Sequence, residues 1–119
     1  MKTALLLAAL LLPALAFAED NRTWTRFDTA MEATTAVTLA LDWNQTIRIA
    51  AAGREINPYL GPHPARHTVN TYFASCIVLH AAVAYALPKP YRTIWQGVFI
   101  MVEAKVVRDN IRLGWGIKF

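Results

Sequence analysis

Residues 68–87 read TVNTYFASCIVLHAAVAYAL, a run of 20 positions without a formal charge. About 20 consecutive, predominantly apolar residues in a helix cross the hydrocarbon core of a bilayer. This stretch therefore predicts a membrane-spanning helix, and with it the class of the chain: all-α, a small membrane helical bundle of two to three helices. The helix starts at Ala65 or Arg66 and ends at Leu87, because Pro88 and Pro90 lack the amide hydrogen that would continue it. Ala74, Ala81, Ala82, Ala84 and Ala86 are small enough to let another helix approach closely. Tyr72 and Tyr85 sit near the ends of the run, and Cys76 and His80 lie one turn apart inside it.

The whole chain fits that class. Its 119 residues make room for one domain, here residues 19–119. Hydrophobic residues make up 55% and charged ones 17%, against about 45–50% and about 25% in soluble domains. The net charge is +4. The basic residues stand singly, with no cluster that could follow a phosphate backbone, so nucleic acid is not expected as a partner. The single cysteine, Cys76, excludes an internal disulfide, and no Cys/His zinc spacing occurs.

Upstream, residues 29–52 run without Pro or Gly as far as Gly53, a suitable residue just past a helix end. They predict the first helix, with Asp28 or Thr29 as N-cap and a capping box between Thr29 and Glu32. Thr35, Thr38, Asp42, Gln45 and Ile49 recur every three or four residues and share one face. This polar stripe should face other helices, since a carboxylate facing lipid is costly. Residues 53–66, GREINPYLGPHPAR, form a loop that Pro58, Pro62 and Pro64 stiffen. Downstream, residues 91–109 predict a third helix in which Gln96, Ile100, Glu103 and Val107 share a face. It either tilts through the membrane or lies at the interface. The short C-terminal extended tail, NIRLGWGIKF, alternates apolar and other residues, a period of two that argues for a strand. A terminal Phe119 on such a strand leaves an outer-membrane component as an alternative.

Residues 1–18, MKTALLLAALLLPALAFA, have the form of a secretory signal peptide: Lys2, an apolar core, and the small-x-small Ala16-Phe17-Ala18 before a polar Glu19. The polar arm that follows, residues 19–28, carries Trp24 and Phe27, rings suited to a membrane interface. Cleavage after Ala18 would leave the mature N-terminus in the periplasm. With three spans, Arg48, Arg54, Arg66, Lys105, Arg108, Arg112 and Lys118 would lie on the cytoplasmic side, in keeping with the positive-inside tendency. The expected location is the bacterial inner membrane after Sec-type export.

Three sets of residues could carry chemistry. Glu55, His63 and His67 are proper ligands for zinc or iron, which keeps a metal-dependent membrane enzyme among the alternatives. They form no compact ligand motif, and the favoured reading is that Glu55 caps or pairs with Arg54 or Arg66 while both histidines stay exposed. Asp42, His80 and Glu103 are ionisable groups in or near membrane segments. They would serve proton or ion handling, or act as interhelical glue with Arg48, Lys105, His80 or Gln96. Cys76 has His80 one turn away, but a thiol in an apolar run packs and stays inert. No Gly-rich phosphate loop and no GxSxG motif occurs, so no catalytic residue is assigned. No cofactor is expected.

The pattern D-x-x-x-T followed by E-x-N-P, here Asp42, Thr46, Glu55, Asn57 and Pro58, with Gln45 inside it, resembles a family of uncharacterised small bacterial and phage-borne membrane proteins, a domain of unknown function. The resemblance covers roughly 20 residues and implies a small polytopic membrane protein of unknown activity. The expected role is a structural or interaction component of the cell envelope, with the lipid bilayer, other membrane proteins or a second copy of the chain as partners.

Overall fold

The structure, a computed structural model, describes residues 22–119. The signal-peptide reading of residues 1–18 falls outside them. Three helices follow in order: α1 (Arg26–Ala51), α2 (Arg66–Ala86) and α3 (Tyr91–Arg112). Among the described residues there is no strand.

The first helix begins one turn earlier than expected. Thr25 is the N-cap: its hydroxyl accepts from the Asp28 amide, and Asp28 accepts from the Thr25 amide at 2.8 Å. The capping box is therefore Thr25 with Asp28, not Thr29 with Glu32, and it frees Glu32 for the interior. The same T-x-x-D/E pattern occurs twice in succession, and burial of Asp28 selects the first. At the other end Gly53 takes φ +67°. Its amide donates to Ala50, and the Arg54 amide to Ile49, at 3.0 and 3.1 Å, so the last carbonyls of α1 are satisfied by a Schellman motif. The third helix runs to Arg112, three residues beyond expectation, and ends in a second such motif at Gly114, φ +93°, through Gly114 to Ile111 and Trp115 to Asn110.

The alternating tail does not form a strand. Residues 115–118 lie against α1, where side chains supply the pairing a neighbouring strand would have supplied. Gln45 donates to the Trp115 carbonyl at 2.9 Å, Arg48 donates to the Gly116 carbonyl, and Asn44 accepts from the Lys118 amide at 3.2 Å. A period of two describes extended backbone, but a strand also needs a partner strand.

The helices run up, down and up, and α1 packs against both of the others, with α2 and α3 meeting less. A small apolar core lies between α1 and α2: Leu39, Ala50, Leu60, Val69 and Phe73. Trp43 stacks on Phe73 with ring centroids 6.0 Å apart and donates to Asn70 at 2.9 Å. Of the small residues on α2 only Ala84 is fully buried. Ala74, Ala82 and Ala86 face outward, away from α1 and α3.

Ile49, Ala84, Leu87 and Val107 are buried as well, and polar groups share the interior with them. Asp28, Thr35, Gln45, Thr46, His80, Arg92 and Gln96 are all buried. The outer surface of the helices, by contrast, is free of charge over most of their length. No exposed residue of segments 27–40, 71–86 or 91–104 carries a charge, and Val37, Val78, Leu79, Ile94, Val98, Met101 and Val102 stand more than half exposed. At 1.5 Å per residue this charge-free surface is about 20–24 Å tall. Beyond it come charged residues, including an exposed Lys105 that donates to Asp109 at 2.5 Å and holds that carboxyl below its usual range. Among the described helices, α2 alone is long and apolar enough throughout to cross a membrane.

Candidate functional site

Helices α1 and α3 run in the same direction and face each other along two seams of like spacing. On α1 the inward positions are 28, 32, 35, 39, 42, 45, 46 and 49; on α3 they are 92, 96, 99, 103, 106, 107 and 110. Steps of three and four keep one edge of each helix on its neighbour. Polar residues occupy most of both edges, so the helices are joined by successive polar rungs.

The first rung is Arg92 with Asp28, both fully buried. Arg92 Nη1 donates to Asp28 Oδ2 and to the Thr23 carbonyl, each at 3.1 Å. Its Nε donates to the Ala84 carbonyl at 2.8 Å, and its Nη2 to the carbonyls of Arg22 and Tyr85 at 2.9 and 3.4 Å. All five guanidinium N–H groups are thereby used, and two serve the last turn of α2, whose carbonyls lack helical partners. Trp24 lies 4.9 Å from the guanidinium carbon, and Lys89 adds a second cation 3.5 Å from Asp28.

The second rung is Gln96 with Glu32, at 3.0 Å, and it includes His80 of α2, whose Nδ1 is 2.7 Å from Glu32. Gln96 also donates to the Asp28 carbonyl at 3.1 Å. The His80 ring stacks on Trp95 and lies against Phe99, centroids 5.2 and 4.5 Å apart. His80 Nε2 is buried and has no partner.

Further along, Asp42 of α1 and Glu103 of α3 line the same cavity. Asp42 Oδ1 accepts from Thr46 at 3.2 Å and from Asn110 at 3.4 Å. Asn110 also donates to Gln45 at 3.0 Å, and Gln45 donates to the Val107 carbonyl at 3.2 Å. Neither carboxyl has an Arg or Lys partner among the described residues. Glu103 Oε2 is shielded from solvent and accepts no hydrogen bond. The pair borders a cavity of about 520 Å³ enclosed by α1, α2, α3, the 53–57 turn and the tail.

The sequence candidates thus separate. Asp42 and Glu103 border one cavity, but the partners of Asp42 are Thr46 and Asn110, and neither acid pairs with Arg48, Lys105, His80 or Gln96. His80 belongs to the neighbouring rung with Glu32. The two conspicuous motif halves act locally: Asp42 and Thr46 bond one turn apart, while Glu55 Oε1 accepts from the amides of Ile56 and Asn57 at 3.1 and 2.7 Å. Asn57 Oδ1 accepts from the Tyr59 amide at 2.9 Å, a turn that Pro58 preorganises. Glu55 therefore caps its own loop rather than pairing with Arg54 or Arg66. His63 and His67 are exposed, and among the described residues no three His, Cys, Asp or Glu side chains gather as a metal site would require. Cys76 is half-buried at the cavity wall, and the His80 imidazole turns to Glu32.

Sequence reading passed over Glu32, Arg92, Asn110 and Asp28 as interior groups. A signal was present: extending the stripe Thr35, Asp42 and Ile49 backward by the same steps reaches Glu32 and Asp28. No family model, curated protein or solved structure matches this chain.

Proposed function

We propose that this chain is a small integral membrane protein of the bacterial envelope, a three-helix bundle with a structural or interaction role. One observation carries the reading: a charge-free outer surface with large apolar side chains exposed, over an interior that buries charged and polar groups such as Asp28, Arg92, Gln96 and His80. In lipid, helices gain nothing by burying apolar side chains against one another, and polar groups that bond across helices become the adhesive. The rungs between α1 and α3 suit that role. The two ends also differ in charge: Arg48, Arg54, Arg66, Lys105, Arg108, Arg112 and Lys118 cluster beyond one edge of the apolar surface, as cytoplasmic flanks do. The mature N-terminus would then be periplasmic. Membrane fractionation with alkaline extraction, joined to N-terminal sequencing, tests this. The expected result is a chain retained in the inner-membrane pellet with Glu19 at its start; release into the soluble fraction would sink the reading.

The carboxyls of Asp42 and Glu103 at one cavity favour a second reading, proton handling at this pair. The pair resembles a site where a proton is shared between like groups. Reconstituted vesicles under a pH gradient should then take up protons, and Asp42→Asn should abolish the uptake. Equal flux in the variant and the parent removes the proposal.

A further inference from the structure

We infer that the groove along the outer edge of the α1/α3 seam binds one anionic phospholipid, its phosphate held by Arg108 and Arg112 and an acyl chain laid along the groove. The inference rests on the membrane reading and names which lipid the bundle holds, and where. The groove, of about 430 Å³, is walled by Thr38 and Leu41 of α1 and by Ala104, Val107 and Ile111 of α3, and both arginines line it too. No acid does. The Thr38 hydroxyl donates to the Thr35 carbonyl at 2.9 Å, so no side-chain donor remains free in the walls ahead of the arginines. Thr38 and Ala104 lie in the charge-free surface, and Arg108 and Arg112 follow one and two turns beyond its edge. One groove thus runs from the apolar zone into the charged one, the same order of chemistry as in a phospholipid.

The two arginines are short of anions. Arg92 uses all five of its donors within the fold, whereas Arg112 has no hydrogen-bond or ion-pair partner among the described residues. Arg108 reaches only Asp109, at 3.4 Å, and Lys105 already holds that carboxyl at 2.5 Å. The pair stands four residues apart on one helix face, where like charges repel. A phosphate between them would satisfy both, since the guanidinium fork matches phosphate oxygens. Cations also suit the last turn of a helix, which accounts for Arg112 but not for the apolar groove that leads to it. Basic pockets between membrane helices on the cytoplasmic side take anionic headgroups in this way. A zwitterionic lipid fits less well, because its ammonium would lie close to the same two cations.

The full chain, purified in a non-ionic detergent, is mixed with equal amounts of dioleoylphosphatidylglycerol and dioleoylphosphatidylcholine, and retained lipid is counted by native mass spectrometry. Each arginine beside an anionic lipid is worth about fivefold in affinity. Phosphatidylglycerol is therefore expected to be retained, one per chain, at least about fivefold over phosphatidylcholine. Both arginines are exposed, so Arg108→Gln with Arg112→Gln leaves the core intact and should bring the two lipids to parity. Parity in the parent, or an unchanged preference in the double variant, would overturn the proposal. Ala104→Phe fills the groove and keeps both arginines. It should lower phosphatidylglycerol retention severalfold, and full retention counts against the groove. An equal concentration of inorganic phosphate should leave the lipid bound; displacement would mark a site for free phosphate and sink the lipid assignment. A chain that stays in the membrane pellet yet shows no lipid preference removes this inference alone, whereas release into the soluble fraction removes the membrane reading with it.

Discussion

The two ends of the α1/α3 seam solve the same problem in opposite ways. At the Asp28 end, a buried carboxylate meets a guanidinium whose five donors are all taken. At the Asp42 end, that carboxyl and Glu103 share a cavity wall. The first arrangement closes: it ties the N-terminal arm, the end of α2 and the start of α3 into one cluster. The second leaves two acids without a basic partner beside an open cavity. Stability and the capacity to bind are therefore expected to reside at different ends of one bundle.

The largest effect should come from the closed end. Arg92→Met removes the buried cation while keeping most of the volume, which leaves Asp28 with only the part-exposed Lys89 as a cation and strands the carbonyls of Ala84 and Tyr85. Loss of one partner of a buried ion pair costs about 3–5 kcal/mol, so denaturant unfolding of the purified chain should show a loss of that size. A loss under about 1 kcal/mol, the range of an exposed pair, would break the comparison. Gly114→Ala tests the wall that the tail builds around the open end. Its φ of +93° is one that residues with a Cβ adopt at a cost of roughly 1–2 kcal/mol. The expected outcome is that modest destabilisation, together with faster hydrogen exchange of the Trp115 and Lys118 amides and not of the Thr25 amide. Asp42→Asn should have the smallest effect, within about 1 kcal/mol and toward greater stability. The amide keeps the acceptor used by Thr46 and Asn110 and removes one of two acids without a basic partner at the cavity. Destabilisation rivalling that of Arg92→Met would show that the two ends are equivalent after all.

Several elements were legible because their causes are local. Gly53 follows α1 as its position suggested, Pro88 closes α2, and the Asn57-Pro58 turn bonds to itself. The helical class follows from the long runs free of Pro and Gly. Other features were misjudged where two local signals agreed equally well with the chain. Thr25 with Asp28 and Thr29 with Glu32 are equivalent boxes in isolation, and the difference is made by Arg92, 64 residues away from Asp28. Likewise the tail's alternation is real, but its partners are side chains of α1.

What the sequence determined by itself, then, is a chain of helices with one segment apolar enough to cross a membrane, bounded by glycine and proline stops. Propensity, capping and backbone conformation act within a few residues and are written in consecutive letters. Only the tertiary structure decided which ionisable groups meet. Asp42, Glu103 and His80 look alike as isolated polar residues in apolar surroundings. Their partners are set by the register of two parallel helices. A shift of one turn along α3 would bring each rung opposite a different residue, so the place of Asp42 and Glu103 at one cavity depends on the register that Arg92 with Asp28, Gln96 with Glu32 and Asn110 with Gln45 fix together.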